Sequence, residues 1–255
     1  MTRQVLLSLC LMFLCGPAVH ADPVAAFKRA NEQFAAEEFE AAAVNYEKSL
    51  TEGGGSAAAY YNLGNAYQRL GRFGPAILAY ERARLLSPRD PDLLVNLARA
   101  RKAAAAFETP GIHPRLDLVL QYFSRNEWSW LVAGCALFLG AVAVLGGMVC
   151  LPRGWMRGAR VSASVAGVVI LLGAIALYQR RAEATRGVVL SEGATVRLSP
   201  FEKAEALGTT GPGRIVKLGK SEGGFRYVEV PGANLRGWLA VRDVAAISKD
   251  ESGGR

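Results

Sequence analysis

Three patterns of apolar and polar positions follow one another along the chain. Apolar residues at helical spacing occupy 22–109, uncharged apolar runs occupy 128–151 and 161–179, and short alternating runs begin near residue 186. These patterns predict amphipathic helices, helices of roughly the 20 residues that cross a bilayer, and strands of a small domain. We therefore expect a multidomain membrane protein in which an all-α region, a transmembrane α-hairpin and a small all-β domain follow in that order.

The N-terminus has the pattern of an export signal. Arg3 precedes an apolar run from Val5 to Val19, and Val19 and Ala21 place small residues before a cleavage point at Asp22. This order predicts a signal peptide over residues 1–21. An uncleaved anchor helix is the alternative, but Pro17 and His20 interrupt the run at about 15 residues, short of the length that spans a membrane.

The all-α region contains an internal repeat with an offset of 34 residues. Phe39, Ala42, Tyr46 and Glu47 recur as Phe73, Ala76, Tyr80 and Glu81. This period is that of the tetratricopeptide repeat (TPR). The second copy resembles the TPR consensus at eight positions, which are Tyr60, Leu63, Gly64, Tyr67, Ala76, Tyr80, Ala83 and Pro88. We expect residues 22–109 to form two such units of two helices each, followed by a capping helix after Pro91.

The resemblance to these repeats implies a partner-binding groove, which the first helix of each unit lines. The residues expected to face it are Asn31, Phe34, Tyr61, Asn65, Gln68 and Arg69. Asn31 and Asn62 are similar to the pair that clamps a C-terminal carboxylate in some TPR proteins. Asp92 and Asn96 stand where that clamp has basic residues, and both asparagines are also consensus positions of the repeat. Either interpretation remains open from the sequence.

The two uncharged runs predict a hairpin of transmembrane helices over 128–151 and 161–179. The connecting residues 152–160 contain Arg153, Arg157 and Arg160 and no acidic residue, as is typical of a cytoplasmic loop. Residues 110–127 are expected to form an amphipathic juxtamembrane segment. Together with the signal peptide, this pattern predicts location in the bacterial inner (cytoplasmic) membrane, with both folded domains on its periplasmic or outer face.

The amino-acid composition argues against nucleic-acid binding, metal sites and cysteine or histidine catalysis. The net charge is +8, yet no dense basic run marks a nucleic-acid surface. After signal removal the expected exported domains hold no cysteine and one histidine, His113, in a linker. Zinc sites and Cys–His pairs need more than this, so we predict no metal, no cofactor and no catalytic residue. A cell-wall hydrolase built on carboxylates was the weakest alternative, because the glutamates of residues 186–255 show no pairing pattern.

Residues 186–247 resemble a bacterial SH3 domain, with five predicted strands separated by glycine-rich turns. Residues 241–247 resemble the final short turn and strand of that domain. About 60 residues with five strands suggest a small SH3-like barrel. The resemblance implies an aromatic ligand-binding surface, whose candidate residues are Phe201, Phe225, Tyr227 and Trp238. Core packing is the alternative role of Tyr227 and Trp238. Related domains bind peptide or peptidoglycan, and the pattern does not choose between them. A flexible tail is expected over 248–255.

The order of these parts resembles the BatE proteins of the bacterial aerotolerance operon. The segment from Tyr122 to Trp130 is like that family's entry into its first span, and residues 90–92 and 96–99 are also typical of it. The resemblance implies a non-catalytic envelope scaffold that works beside membrane-anchored von Willebrand A-domain (VWA) proteins and a MoxR-type ATPase. An envelope anchor whose SH3-like domain binds peptidoglycan is the second hypothesis.

Overall fold

The computed structural model describes most of the chain, over residues 22–106, 119–120, 122–148, 153–183 and 185–248. Several expectations fall outside these ranges. They are the signal peptide, His113, most of the juxtamembrane segment and nearly all of the expected tail.

Five helices build the N-terminal part: α1 (Pro23–Ala35), α2 (Phe39–Glu52), α3 (Ala57–Arg69), α4 (Phe73–Leu86) and α5 (Pro91–Ala103). Side chains cap α1, α3 and α5. Asp22 accepts a hydrogen bond from the Val24 amide at 2.9 Å, Ser56 accepts one from Ala59 at 3.0 Å, and Asp90 caps α5 in the same way. Such caps satisfy backbone N–H groups that the first helical turn leaves without a partner.

The other two helices start from tight turns that also repeat every 34 residues. Glu37 and Gly71 both have positive φ, at 62° and 70°, in the turns before α2 and α4. Glycine adopts this conformation at no steric cost, whereas a residue with a Cβ atom is strained there. The second unit therefore has the less strained turn, in agreement with its closer match to the consensus.

The repeat core forms where the two helices of each unit cross. Tyr46 and Tyr80 are fully buried at equivalent positions of the two crossings. A Cβ atom on Gly64 would lie 2.5 Å from the Tyr80 ring, so only glycine fits the present spacing of α3 and α4. The consensus positions that are buried are Tyr60, Leu63, Gly64, Ala76, Tyr80 and Ala83, as the repeat pattern predicted.

Two long apolar helices follow, α6 (Arg125–Met148) and α7 (Arg153–Glu183). Their segments Arg125–Leu145 and Gly158–Gln179 are long and apolar enough to cross a membrane, and little of either is buried inside the protein. An apolar surface of this size needs a cover of lipid or protein. The helices pack on each other at Gly173, where a Cβ atom would lie 2.3 Å from Val132 and 3.3 Å from Trp128.

The connection between these helices is shorter than the sequence predicted. Helix α7 begins at Arg153, so residues 153–160 are helical rather than a loop. Pro152 directly precedes Arg153 in the sequence, and a proline is compatible with the start of a helix. Arginines beside an apolar span indicate membrane topology, but their charge does not break a helix.

The start of α6 is fixed to the repeat domain. Ser124 and Glu127 form a capping box, in which the Ser124 amide donates to Glu127 at 2.7 Å. Arg89, in the loop before α5, forms an ion pair with Glu127 and lies 5.1 Å from the Tyr122 ring. The indole N–H of Trp128 donates to the Leu120 carbonyl at 3.0 Å. The repeats and the first apolar helix are thus joined by direct contacts.

The C-terminal domain is one antiparallel sheet of seven strands: β1 (Arg186–Val189), β2 (Ala194–Arg197), β3 (Ala206–Thr210), β4 (Ile215–Glu222), β5 (Phe225–Val230), β6 (Leu235–Ala240) and β7 (Val244–Ala246). Their order is β3-β2-β6-β5-β4-β1-β7. Strands β3 and β7 are its two edges and the sheet is not closed, so the predicted SH3-like barrel is not confirmed. Val196, Val216, Val228 and Leu239 lie in its core.

Candidate functional site

The groove of the repeat domain is the face that α1, α3 and α5 share, and a set of three polar side chains holds its first part together. The Tyr46 hydroxyl donates to Asn31 Oδ1 at 2.7 Å. Asn62 Nδ2 donates to the same oxygen at 3.1 Å. We call this arrangement the first amide set; it ties α1 to both α2 and α3.

A second amide set repeats the arrangement 34 residues later. The Tyr80 hydroxyl lies 2.7 Å from Asn65 Oδ1, and Asn96 Nδ2 donates to that oxygen at 3.2 Å. Because Asn96 takes the role of Asn62, α5 is the first helix of a third unit as well as the end of the helical stack. The sequence had assigned it only a capping role.

Each of the two amide sets leaves one amide N–H group, that of Asn31 or of Asn65, available to a ligand. The Oδ1 atoms of Asn31 and Asn65 each accept from two side chains, which orients each amide group. Among the described residues, no acceptor is found for Nδ2 of either asparagine. Burial raises the pKa of the Tyr46 and Tyr80 hydroxyls, so both keep their protons and act as donors. Two oriented N–H groups one repeat apart suit the carbonyl oxygens of an extended peptide.

A small cavity adjoins the first amide set. It has a volume of about 120 Å³, and its lining residues are Asn31, Phe34, Ala35, Tyr46 and Asn62. The Phe34 ring packs edge-on against Phe39 at 5.3 Å and forms its apolar wall. A pocket of mixed polar and apolar lining beside a row of donors suits one small side chain of a bound peptide.

Of the other predicted groove residues, Tyr61 and Gln68 lie at the second amide set and Arg69 does not. The Tyr61 hydroxyl accepts from Asn96 Nδ2 at 2.8 Å, and Gln68 Oε1 lies 3.0 Å from the Tyr80 hydroxyl, so both join the second amide set. Arg69 lies apart from it. Its guanidinium is 4.4 Å from the Phe39 ring centre and 3.8 Å from Glu37, at the turn of the first unit.

The sequence missed what Tyr46 and Tyr80 do in the groove. Their rings are buried, and their hydroxyls orient the groove asparagines. The recurrence of Asn31 and Tyr46 as Asn65 and Tyr80 was the available signal. Arg99 was also missed; it donates to Asn96 Oδ1 at 3.2 Å and places a positive charge at the end of the groove.

The predicted aromatic surface of the sheet is only partly exposed. Tyr227 and Trp238 are cross-strand partners in edge-to-face contact, with ring centres 5.6 Å apart, and Lys220 lies 5.3 Å from the Trp238 ring. Trp238 and Phe225 are buried, whereas Tyr227 and Phe201 are exposed. Phe201 lies in the loop between β2 and β3. The four aromatic residues therefore divide into two that pack and two that are open to a ligand.

Comparison with known proteins agrees with the repeat geometry. Residues 57–90, which span α3 and α4, match the family model of the tetratricopeptide repeat. No curated protein matches the chain. The fold and this match define a protein with helical TPR-type repeats, two apolar helices and a C-terminal antiparallel sheet. TPR repeats indicate protein–protein interaction or scaffolding, and repeat families of this kind are typically non-catalytic.

Proposed function

We propose that this protein is a non-catalytic, membrane-tethered adaptor that binds an extended segment of a protein partner in its repeat groove. The observation that carries the proposal is the pair of amide sets, which presents oriented N–H donors at a spacing of one repeat. The cavity beside Asn31 adds a place for one partner side chain. Main-chain hydrogen bonds would supply affinity, and the cavity would supply selectivity.

The two apolar helices act as the tether in this proposal. They form an antiparallel pair, so α6 begins at the end where α7 finishes. The repeat domain leads into the start of α6, and the sheet follows the end of α7. The repeat domain and the sheet contact each other directly. This geometry supports placement of both on one side of a membrane. The signal-like N-terminus and the arginines at 153, 157 and 160 favour the outer face of the bacterial inner membrane.

The resemblance to BatE proteins supports a partner class. Membrane-anchored VWA-domain proteins, working with a MoxR-type ATPase, are the partners that this resemblance implies. The exposed Tyr227 and Phe201 leave the sheet a surface for a second ligand, a peptide or peptidoglycan.

Removal of the two donor amides tests the groove. We expect the double variant Asn31→Ala and Asn65→Ala, in the full-length protein in detergent, to bind its partner from solubilised membranes roughly thirtyfold more weakly. Two lost hydrogen bonds of about 1 kcal/mol each account for this loss. Lys28→Ala is the matched control, because Lys28 lies on α1 in an exposed ion pair with Glu32. Equal recovery by the double variant, with unchanged helical content, would refute groove binding.

Cysteine labelling tests the placement of the two domains. We expect Glu32→Cys in the repeats and Lys203→Cys in the sheet, each in a chain that lacks its native cysteines, to react with an impermeant maleimide on intact spheroplasts. Both positions are exposed in the structure. Reaction at only one position, or at neither until the cells are lysed, would overturn the proposed arrangement.

A further inference from the structure

The side of α4 that faces away from the groove contacts the edge of the C-terminal sheet. Arg82 donates from Nη2 to the Ala246 carbonyl at 2.8 Å and from Nε to the Ile247 carbonyl at 3.2 Å. Ala246 ends β7, which is an edge strand. An open edge exposes carbonyl groups that need donors, and Arg82 supplies two of them from the repeat domain.

Apolar contacts join the two domains around this bond. Val188 of β1 and Ile247 belong to the core of the repeats rather than to the core of the sheet. A Cβ atom on Gly213 would lie 2.2 Å from Ile77 and 3.2 Å from Ala106. The loop before β4 therefore fits closely against both α4 and the residues after α5.

A comparison of the two repeat units shows which positions of α4 serve this contact. Residues one repeat earlier, in α2, are Glu40 for Gly74, Ala43 for Ile77 and Lys48 for Arg82. A Cβ atom on Gly74 would lie 2.3 Å from the Leu190 carbonyl oxygen, whereas Glu40 at the equivalent position is exposed. The repeat itself does not require glycine there, so the contact with the sheet accounts for Gly74.

The sheet also lies where a further helix of the stack is expected. Helix α5 is the first helix of a third unit, and the second helix of such a unit would pack against α4 and α5. The loop at Gly213 packs against Ile77 of α4 and Ala106 after α5, and strand β1 packs against α4. Open ends of a helical stack need a cap. We infer that the C-terminal sheet takes the place of this second helix, so that repeats and sheet form one cooperative folding unit.

This arrangement connects the sheet to the groove through one turn of α4. Tyr80 holds Asn65 in the second amide set, and Arg82, two residues later, binds the sheet edge. Release of the sheet is therefore expected to loosen the second amide set more than the first, because Tyr80 lies on the helix that binds the sheet edge, whereas Asn31 and Tyr46 lie on α1 and α2.

The substitution Gly74→Ala tests the inference, because the two possibilities predict opposite changes in the melting temperature. Alanine is the better helix former, so the change raises the melting temperature if the repeats and sheet are independent. If the sheet is the cap, the added methyl group meets the Leu190 carbonyl and the melting temperature of the full-length protein in detergent falls. We expect a fall; a rise would overturn the inference.

Hydrogen exchange with Arg82→Ala provides a second measurement. We expect amides of both α4 and β7 to exchange roughly tenfold faster than in the wild type, while α1 and α2 change little. Lys48→Ala, the same position one repeat earlier, is the matched control and is expected to leave α4 and β7 unchanged. Faster exchange confined to β7 contradicts a shared folding unit. If the protection of α4 and β7 from exchange disappears when a dimer is diluted, the sheet of a second copy caps the repeats. That result would overturn the inference that the cap lies within one chain.

Discussion

The substitution Glu81→Gln is expected to lower the free energy of unfolding by about 3 kcal/mol. Glu81 is 1 % exposed and lies between two arginines. Its Oε2 atom accepts from Arg84 at 2.8 Å, and its Oε1 atom is paired with Arg101. Loss of one partner of a buried ion pair costs about 3–5 kcal/mol. We expect the lower end, because both arginines retain some exposure to water. Chemical denaturation of the full-length protein in detergent measures the change.

The same carboxylate makes stability depend on pH. Burial alone would raise the pKa of Glu81, but attraction by Arg84, Arg101 and Arg186, with the hydrogen bond from Arg84, outweighs burial and holds the pKa below its usual value. A lowered pKa stabilises the fold at every pH above the unfolded value, and this stabilisation is lost as the pH falls through the folded value. The wild type should therefore lose stability in acid, and Glu81→Gln should lose less.

Glu47→Gln is the matched control for both measurements. Glu47 occupies the equivalent position one repeat earlier but is exposed, and it accepts a hydrogen bond from the Tyr67 hydroxyl at 2.5 Å. We expect this substitution to change the free energy of unfolding by less than about 1 kcal/mol. Equal effects of the two substitutions would show that the arginine cluster around Glu81 contributes nothing beyond an exposed hydrogen bond.

Glu47 and Glu81 also show what the sequence could predict. The 34-residue period located both, together with all four helices of the two units and the small residues at their crossings, because each of these follows from local spacing. The period could not predict that Glu81 is buried and Glu47 exposed. That difference depends on α5 and on Arg186 of β1, which approach α4 only in the folded chain.

The strands likewise divide into those that the sequence could predict and one that it could not. Five of the seven strands have alternating apolar residues, and β7 lies in the segment 241–247, where the sequence predicts a closing strand. The structure places strands at all six positions. Strand β3 was missed because it lies at an edge and is mostly exposed, with Gly208 at its centre, so burial leaves little pattern in its sequence. The closed barrel was inferred from strand number, whereas closure depends on pairing between the first and last strands of the sheet. Here α4 occupies one of those edges through Arg82.

The geometry of the two amide sets could be predicted only in part, for an equally physical reason. Asn31 and Asn65 stand at consensus positions, and a helical period assigns them to one face. The roles of Tyr46 and Tyr80 depend on where a hydroxyl at the end of a buried ring comes to lie, and that distance is fixed by the crossing of two helices. Gly64 sets this crossing in the second unit, so its replacement should affect both the core and the groove.

The substitution Gly64→Val is expected to lower the free energy of unfolding by about 3 kcal/mol, at the upper end of the usual cost of overpacking. The added Cβ atom would meet the Tyr80 ring at 2.5 Å, and the ring is fully buried with its hydroxyl bound to Asn65.

Either α3 and α4 separate or Tyr80 gives up that bond, so partner binding should weaken along with stability. Ala58→Val, at an exposed position of the same helix, should cost only the roughly 0.5 kcal/mol of helix propensity. Calorimetry and the partner recovery assay measure the two effects. A stable Gly64→Val protein with undiminished partner binding would show that the Tyr80 hydroxyl does not organise the groove.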